Sequence, residues 1–86
     1  MEWPSWWAWD LELTPHLERR MEDRDFTEVD LRGMLEKAEA LDRDIVEGRW
    51  LVRSTHDGST WEIIVEPDWD VDLLVVITAY RAERGR

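Results

Sequence analysis

The sequence predicts a single α+β domain with the element order β-α-α-β-β-β, in which two helices pack on one face of an antiparallel sheet. Three observations predict it. Residues 71–80 are apolar at both alternating sets of positions, which is typical of a strand with neighbours on both edges. Two capped, amphipathic segments in the first half of the chain predict helices. An Asp57-Gly58 pair between two apolar stretches predicts a hairpin.

A tryptophan-rich extension, residues 1–10, precedes the predicted domain, which spans residues 11–82 and is followed by a polar tail at residues 83–86. The extension carries four of the seven tryptophans, namely Trp3, Trp6, Trp7 and Trp9. Because this segment is apolar, it either folds back on its own domain or is covered by another chain. Exposed apolar patches of this kind mark interaction surfaces. In the second case the four tryptophans are partner-binding residues, and self-association through them gives a homo-oligomer.

The first strand and the two helices are predicted from local patterns. Alternating polarity over Trp9 to Leu13 predicts a short edge strand. Thr14 is expected to cap a helix from Pro15 to about Arg24, since its hydroxyl can accept from a free amide and proline at the first helical position loses no hydrogen bond. Thr27 and Asp30 resemble the capping box of a second helix. Its apolar arc consists of Leu31, Met34, Leu35, Ala38 and Leu41.

The second half of the chain predicts a three-stranded antiparallel meander. Residues 49–53 and 60–66 are expected to form the hairpin strands, and residues 67–70 turn the chain into the last strand. Strict alternation along that last strand predicts two faces, one with Leu73, Val75, Ile77 and Ala79 and the other with Leu74, Val76, Thr78 and Tyr80.

Composition restricts the classes of function. A net charge of −10 disfavours unguided binding to nucleic acid, although ten of the eleven basic residues are arginine, which grips phosphate or carboxylate at two points. The absence of cysteine excludes disulfides and thiolate metal clusters. The 21 acidic residues lack the spacing of a metal-binding loop, so neither a metal nor another cofactor is expected.

No stretch approaches the roughly 20 apolar residues of a membrane span, which predicts a soluble, cytoplasmic protein without membrane association.

A basic stripe is expected along the first helix. His16, Arg20 and Arg24 recur every four residues and therefore share one helical face. Histidine exchanges protons near neutral pH, and arginine stabilises the charge that grows on a phosphate during reaction. The stripe could instead be neutralised by acids such as Asp23 on the same helix.

Hydroxyl and aromatic groups complete the candidate site. Thr78 or Tyr80 on the last strand could position the same phosphate, and a base, an acid and a cation are the parts that RNA cleavage by the 2′ hydroxyl requires. Arg53 in the predicted hairpin and Trp69 in a turn are candidate substrate contacts, Trp69 because aromatic rings stack on bases.

Three segments together resemble a small bacterial family called domain of unknown function 4258. They are residues 14–30, which hold the three stripe residues, then Gly48-Arg49-Trp50, and the ending Val75-Val76-Ile77-Thr78-Ala79-Tyr80. The family pattern is His-x-x-x-Arg-x-x-x-Arg followed by Ile-Thr-x-x-Asp-Val at the start, and Val-Val-Thr-x-Tyr at the end. The resemblance covers residues 13–80 and excludes the tryptophan-rich segment.

This resemblance implies a RelE/ParE-like toxin fold, in which two helices cover one face of the sheet and the other face carries the site. It implies a metal-independent endoribonuclease of a bacterial toxin-antitoxin or conflict system, with RNA as substrate and an antitoxin as partner. His16 would be the general base or acid, Arg20 and Arg24 would stabilise phosphate charge, and Thr78 or Tyr80 would orient the substrate. RelE-like ribonucleases are usually basic, whereas this chain is acidic. The alternative is a non-catalytic module that binds a partner protein through the tryptophan-rich segment and the acidic helix.

Overall fold

The computed structural model describes residues 3–82 and has the predicted α+β class. The predicted polar tail, residues 83–86, and the first two residues of the extension lie outside the described residues. The elements are a 3-10 helix Ser5–Ala8, β1 Asp10–Leu13, α1 Pro15–Arg24, α2 Glu28–Glu36, β2 Ala40–Arg43, β3 Trp50–His56, β4 Ser59–Asp68 and β5 Leu73–Arg81.

The five strands form one mixed sheet in the order β1-β5-β4-β3-β2. β1 runs parallel to β5 and every other pair is antiparallel, so the expectation of a wholly antiparallel sheet is wrong at this edge. The parallel register sets Leu11 beside Leu74 and Leu13 beside Val76. β5 therefore has neighbours on both edges, as its apolar pattern predicts.

The strand that local patterns miss is β2. The apolar arc of the second helix is predicted to continue through Ala38 and Leu41, but α2 ends at Glu36 and Leu41 lies in β2 opposite Val52. The reason is that Leu41 continues the helical spacing by chance, while the four residues of β2 include no β-branched side chain. Pairing with β3, rather than propensity, determines this strand.

Both predicted helix caps form, and the first also joins α1 to the sheet. Thr14 Oγ1 accepts a hydrogen bond from the Leu17 amide at 3.0 Å and donates to the Ile77 carbonyl oxygen at 3.1 Å. In α2 the Thr27 amide donates to Asp30 at 2.9 Å, which lowers the pKa of that carboxyl group, and the Asp30 amide donates back to the Thr27 hydroxyl.

One core lies between the two helices and one face of the sheet. The Ser54 hydroxyl, fully buried, donates to the Met34 carbonyl oxygen at 2.6 Å and so connects β3 with the last turn of α2. The core cluster includes Leu17, Phe26, Leu31, Met34, Leu35, Val52, Trp61, Ile63, Val65, Leu74, Val76 and Ala79. The opposite face of the sheet, called the open face below, carries no helix among the described residues.

A bulge changes the side-chain alternation along β5. Ile64 pairs with Thr78 and Val65 pairs with Val76, so Ile77 has no opposite residue. Val76 and Ala79 consequently both point into the core, while Thr78 lies on the open face. The predicted grouping of Val76 with Thr78 on one face is wrong, because strict alternation cannot anticipate an inserted residue.

The tryptophan-rich segment folds back on its own domain. Trp6 is 4% exposed and its ring centroid lies 5.6 Å from that of Trp50. Trp7 and Trp9 are half-buried against the same core, and Trp3 stacks on Trp7 with centroids 4.6 Å apart. The first of the two alternatives for this segment therefore describes the structure, in which Trp6 is a core residue.

Candidate functional site

Helix α1 lies along the part of β5 that β1 does not cover. The pairing of β1 with β5 ends at Leu13 and Val76. Beyond that point Thr14, at the start of α1, bonds to the Ile77 carbonyl, and Arg24, in its last turn, donates from Nη1 to the Ala79 carbonyl at 3.4 Å. Both ends of α1 are thereby attached to β5, which carries the predicted hydroxyl groups.

The end of the basic stripe opens into a surface cavity. Its volume is about 350 Å³, and its lining residues are Arg24, Trp61, Tyr80 and Arg81. Trp61 and Arg81 are cross-strand partners of β4 and β5, and Arg24 approaches them from the end of α1. The structure therefore brings together Arg24 and Tyr80 from the predicted site, and it adds Trp61 and Arg81.

The other predicted catalytic residues lie outside this cavity lining. His16 is exposed in the first turn of α1, and Thr78 is half-buried on the open face opposite Ile64. Arg20 Nη1 lies 3.6 Å from a carboxylate oxygen of Asp23, with side chains 40% and 65% exposed. Asp23 therefore partly neutralises Arg20, which is the alternative that the sequence left open. Exposed ion pairs of this kind stabilise a protein by only about 0–1 kcal/mol.

On the open face, Tyr80 is part of a small polar group. It lies opposite Glu62, and Glu62 in turn lies 3.6 Å from Arg53 Nη2, so the predicted substrate contact Arg53 already has a carboxylate partner. Burial raises the pKa of Tyr80, and a hydrogen bond with Glu62 and the charge of that carboxylate raise it further. The phenol is therefore protonated at neutral pH and can donate a hydrogen bond.

Glu62→Gln should lower the pKa of Tyr80 toward its ordinary value near 10 without restoring it fully, because burial is the larger cause. Tyr80 is the only tyrosine in the chain, so tyrosinate absorbance measured against pH follows this one group. In the parent, the contribution of the raised pKa to stability should be present below about pH 10 and lost as the pH rises through the folded-state pKa.

The matched control for this titration is Glu66→Gln, which removes another carboxylate from the same face of β4 and leaves Glu62 in place. That variant should titrate like the parent. Identical tyrosinate curves for Glu62→Gln and the parent would contradict the role assigned to Glu62.

Trp69 lies at the other end of the β4–β5 hairpin. It is 64% exposed, as expected for a turn residue, and its ring meets that of Trp9 edge-on with centroids 5.0 Å apart. Eight residues of extended chain separate it from Trp61, about 26 Å at 3.3 Å per residue. Trp69 therefore does not share a nucleotide with the cavity of Arg24 and Tyr80.

Within residues 3–82, no three His, Cys, Asp or Glu side chains come together in a group that could hold a metal ion. In the same part of the chain, every helix is too short or too polar to cross a membrane.

The fold and the site define a small α+β protein in which two helices cover one face of a five-stranded mixed sheet and a helix with a basic stripe borders the last strand. The chain belongs to the family described as Domain of unknown function (DUF4258), whose model matches residues 13–81. This match confirms the family that the sequence motifs resemble. No curated protein matches the chain, and no solved structure does.

Proposed function

We propose that the chain is a metal-independent endoribonuclease with a RelE/ParE-like toxin fold, acting in a bacterial toxin-antitoxin or conflict system. The observation that carries the proposal is the meeting of two motif residues: Arg24, at the end of the basic stripe, shares one cavity with Tyr80 of the last strand. The two helices on one face of the sheet, with the last strand paired on both edges, support the toxin-like arrangement.

In the proposed reaction the 2′ hydroxyl oxygen of RNA attacks the adjacent phosphorus while the bond from phosphorus to the 5′ oxygen breaks. A general base removes the 2′ proton, and a general acid returns a proton to the departing 5′ oxygen. The products are a 2′,3′-cyclic phosphate and a 5′ hydroxyl. Arginine side chains stabilise the extra negative charge of the transition state, so the step needs neither an oxidant nor a metal ion.

The dimensions of α1 support a position for the scissile phosphate above Arg20. At 1.5 Å per residue, His16 and Arg24 are about 12 Å apart along the helix axis, and Arg20 lies about 6 Å from each. A phosphate above Arg20 is therefore within reach of the His16 imidazole and of the long Arg24 side chain. The ion pair between Arg20 and Asp23 is exposed at the surface, so a phosphate can displace Asp23 at little cost.

The hydroxyl-bearing strand has a supporting role in this proposal. Tyr80 is protonated at neutral pH, and its O–H turns from Glu62 to the substrate at the end of the stripe. Thr78 lies two residues before Tyr80 on the same strand, and its hydroxyl group orients the RNA substrate. Since the net charge of the protein is −10, RNA is expected to contact this stripe locally rather than bind over a broad surface.

The test is cleavage of end-labelled RNA by the purified chain, with and without EDTA, followed by identification of the product ends. We expect EDTA-insensitive cleavage that leaves 2′,3′-cyclic phosphate ends, and growth arrest when the gene is induced alone in bacteria. Cleavage that disappears with EDTA would contradict the metal-independent mechanism.

A folded chain that leaves RNA intact and growth unchanged would favour the second candidate, a protein-interaction module with an antitoxin or another partner. A specific observation favours its surface: Ile45, Trp69 and Val71 are 100%, 64% and 58% exposed on the loops between β2 and β3 and between β4 and β5. Both loops border a cavity that is also lined by Trp6 and Trp50. Apolar side chains exposed in this way are typical of docking surfaces.

A further inference from the structure

We infer that the cavity lined by Arg24, Trp61, Tyr80 and Arg81 binds a phosphate group of an RNA chain, adjacent to the phosphate that is cleaved. The identity of the ligand rests on the proposed function, while the site itself rests on the charges and hydrogen-bond donors of the cavity residues. Arg81 and Trp61 are the residues that this inference adds.

The two arginines of this cavity have no carboxylate partner among the described residues, although the chain is acidic. The sequence has 21 acidic and 11 basic residues, so carboxylates are in excess. Within residues 3–82, neither Arg24 nor Arg81 has a carboxylate oxygen within 4.0 Å, and the four ion pairs there use Arg20, Arg32, Arg49 and Arg53. Two guanidinium groups that border one cavity repel each other, and a bound anion would relieve that repulsion.

The cavity also offers hydrogen-bond donors suited to a phosphate. Arg24 uses one N–H on the Ala79 carbonyl and keeps its other donors, which can hold phosphate oxygens at two points. Tyr80 adds a hydroxyl group, whose proton turns from Glu62 to the phosphate when an anion binds. Trp61 is 3% exposed, and its Nε1–H is buried without an acceptor among the described residues. Such an unpaired donor is destabilising, and because the atom is shielded from solvent, a phosphate oxygen becomes its acceptor only when the indole ring turns toward the cavity.

The position of the cavity agrees with a second phosphate of the same RNA. It lies at the Arg24 end of the stripe, about one helical turn beyond Arg20. The carboxylate opposite Tyr80 on β4 is that of Glu62, whose charge is partly balanced by Arg53 at 3.6 Å, so it opposes an anion less than a free carboxylate would. A nucleotide chain along α1 would thus set one phosphate above Arg20 and the next in the cavity.

The experiment is an NMR titration of the isotope-labelled full chain with a 2′-O-methyl RNA tetranucleotide, which lacks the attacking hydroxyl and cannot be cleaved by this mechanism. We expect shifts of the Tyr80 and Arg81 amides and of the Trp61 indole N–H, assigned with Trp61→Phe. Arg81→Ala should weaken binding about tenfold, since it removes a charge-assisted contact. Arg19→Ala, an exposed arginine of α1 outside the cavity lining, is the matched control and should bind like the parent.

A parallel titration with inorganic phosphate separates a free anion from RNA. Phosphate binding as tight as that of the tetranucleotide would overturn the assignment to RNA. If the parent cleaves RNA and Arg81→Ala binds and cleaves equally well, this inference fails and the proposed function stands. If the tetranucleotide binds and Arg81→Ala weakens it, while no RNA is cleaved, the phosphate site stands and the nuclease proposal fails.

Discussion

His16→Ala should slow RNA cleavage by about 10²–10⁴-fold and leave the folded structure intact, because that is the usual contribution of a general acid or base. The imidazole is exposed in the first turn of α1 and takes no part in the core cluster, so its loss should not change stability appreciably. The measurement is the single-turnover rate on labelled RNA, together with a thermal melt of the same preparation.

The other histidine of the chain provides the matched control. His56 lies at the end of β3 with its ring edge-on to Trp61, at 5.8 Å between centroids, and is not among the residues that line the cavity. His56→Ala should cleave at the rate of the parent. If His16→Ala cleaves as fast as the parent, its assigned role is wrong. If His56→Ala is the slow variant instead, the proton transfer is assigned to His56 and not to His16.

The elements that depend on neighbouring residues are predictable from the sequence. Thr14 and Thr27 cap the two helices as their local patterns indicate, because the bonds join groups only three residues apart. The Asp57-Gly58 turn is equally local, and both residues adopt the positive φ angles, 56° and 78°, that this hairpin signal implies. Residues 1–10 are different, because no local pattern distinguishes folding back from binding a partner.

Features that depend on distant pairing are not predictable in this way. The parallel alignment of β1 with β5, the strand β2 and the bulge at Ile77 all follow from which segments meet in the sheet. The alternation of polar and apolar residues indicates which face of a strand is buried, but it does not indicate whether the neighbouring strand runs parallel or antiparallel. One inserted residue at Ile77 therefore changes which side chains accompany Ala79 into the core.

The candidate site likewise has one part that is predictable from local spacing and one part that depends on distant pairing. The helical stripe is predictable because the spacing of four residues places His16, Arg20 and Arg24 on one face. The contribution of Arg81 depends on its register opposite Trp61, and Trp61 alone predicts only a core aromatic. The feature of the sequence that indicates Arg81 as a site residue is its position directly after Tyr80 at the end of the last strand.

Trp6→Ala should destabilise the domain by about 3–5 kcal/mol, the usual cost of truncating a buried tryptophan. Trp6 is 4% exposed and packs beside Trp50, so its removal leaves a void in the core that neighbours fill only in part. At about 0.05–0.15 kcal/mol per residue, the whole chain is stable by only about 4–13 kcal/mol, so this loss is a large fraction of the total. Denaturant unfolding followed by circular dichroism measures it.

Trp69→Ala is the control for that measurement, since it removes the same side chain from a 64% exposed turn and loses mainly one edge-on contact with Trp9. Its cost should stay below about 1.5 kcal/mol. Equal stability of Trp6→Ala and the parent would contradict the core position of Trp6. Because Trp6 belongs to the core, deleting residues 1–9 would remove a structural residue as well as a surface. Loss of partner binding in such a deletion would therefore not locate an interface, whereas loss of binding in the folded Trp69→Ala variant would.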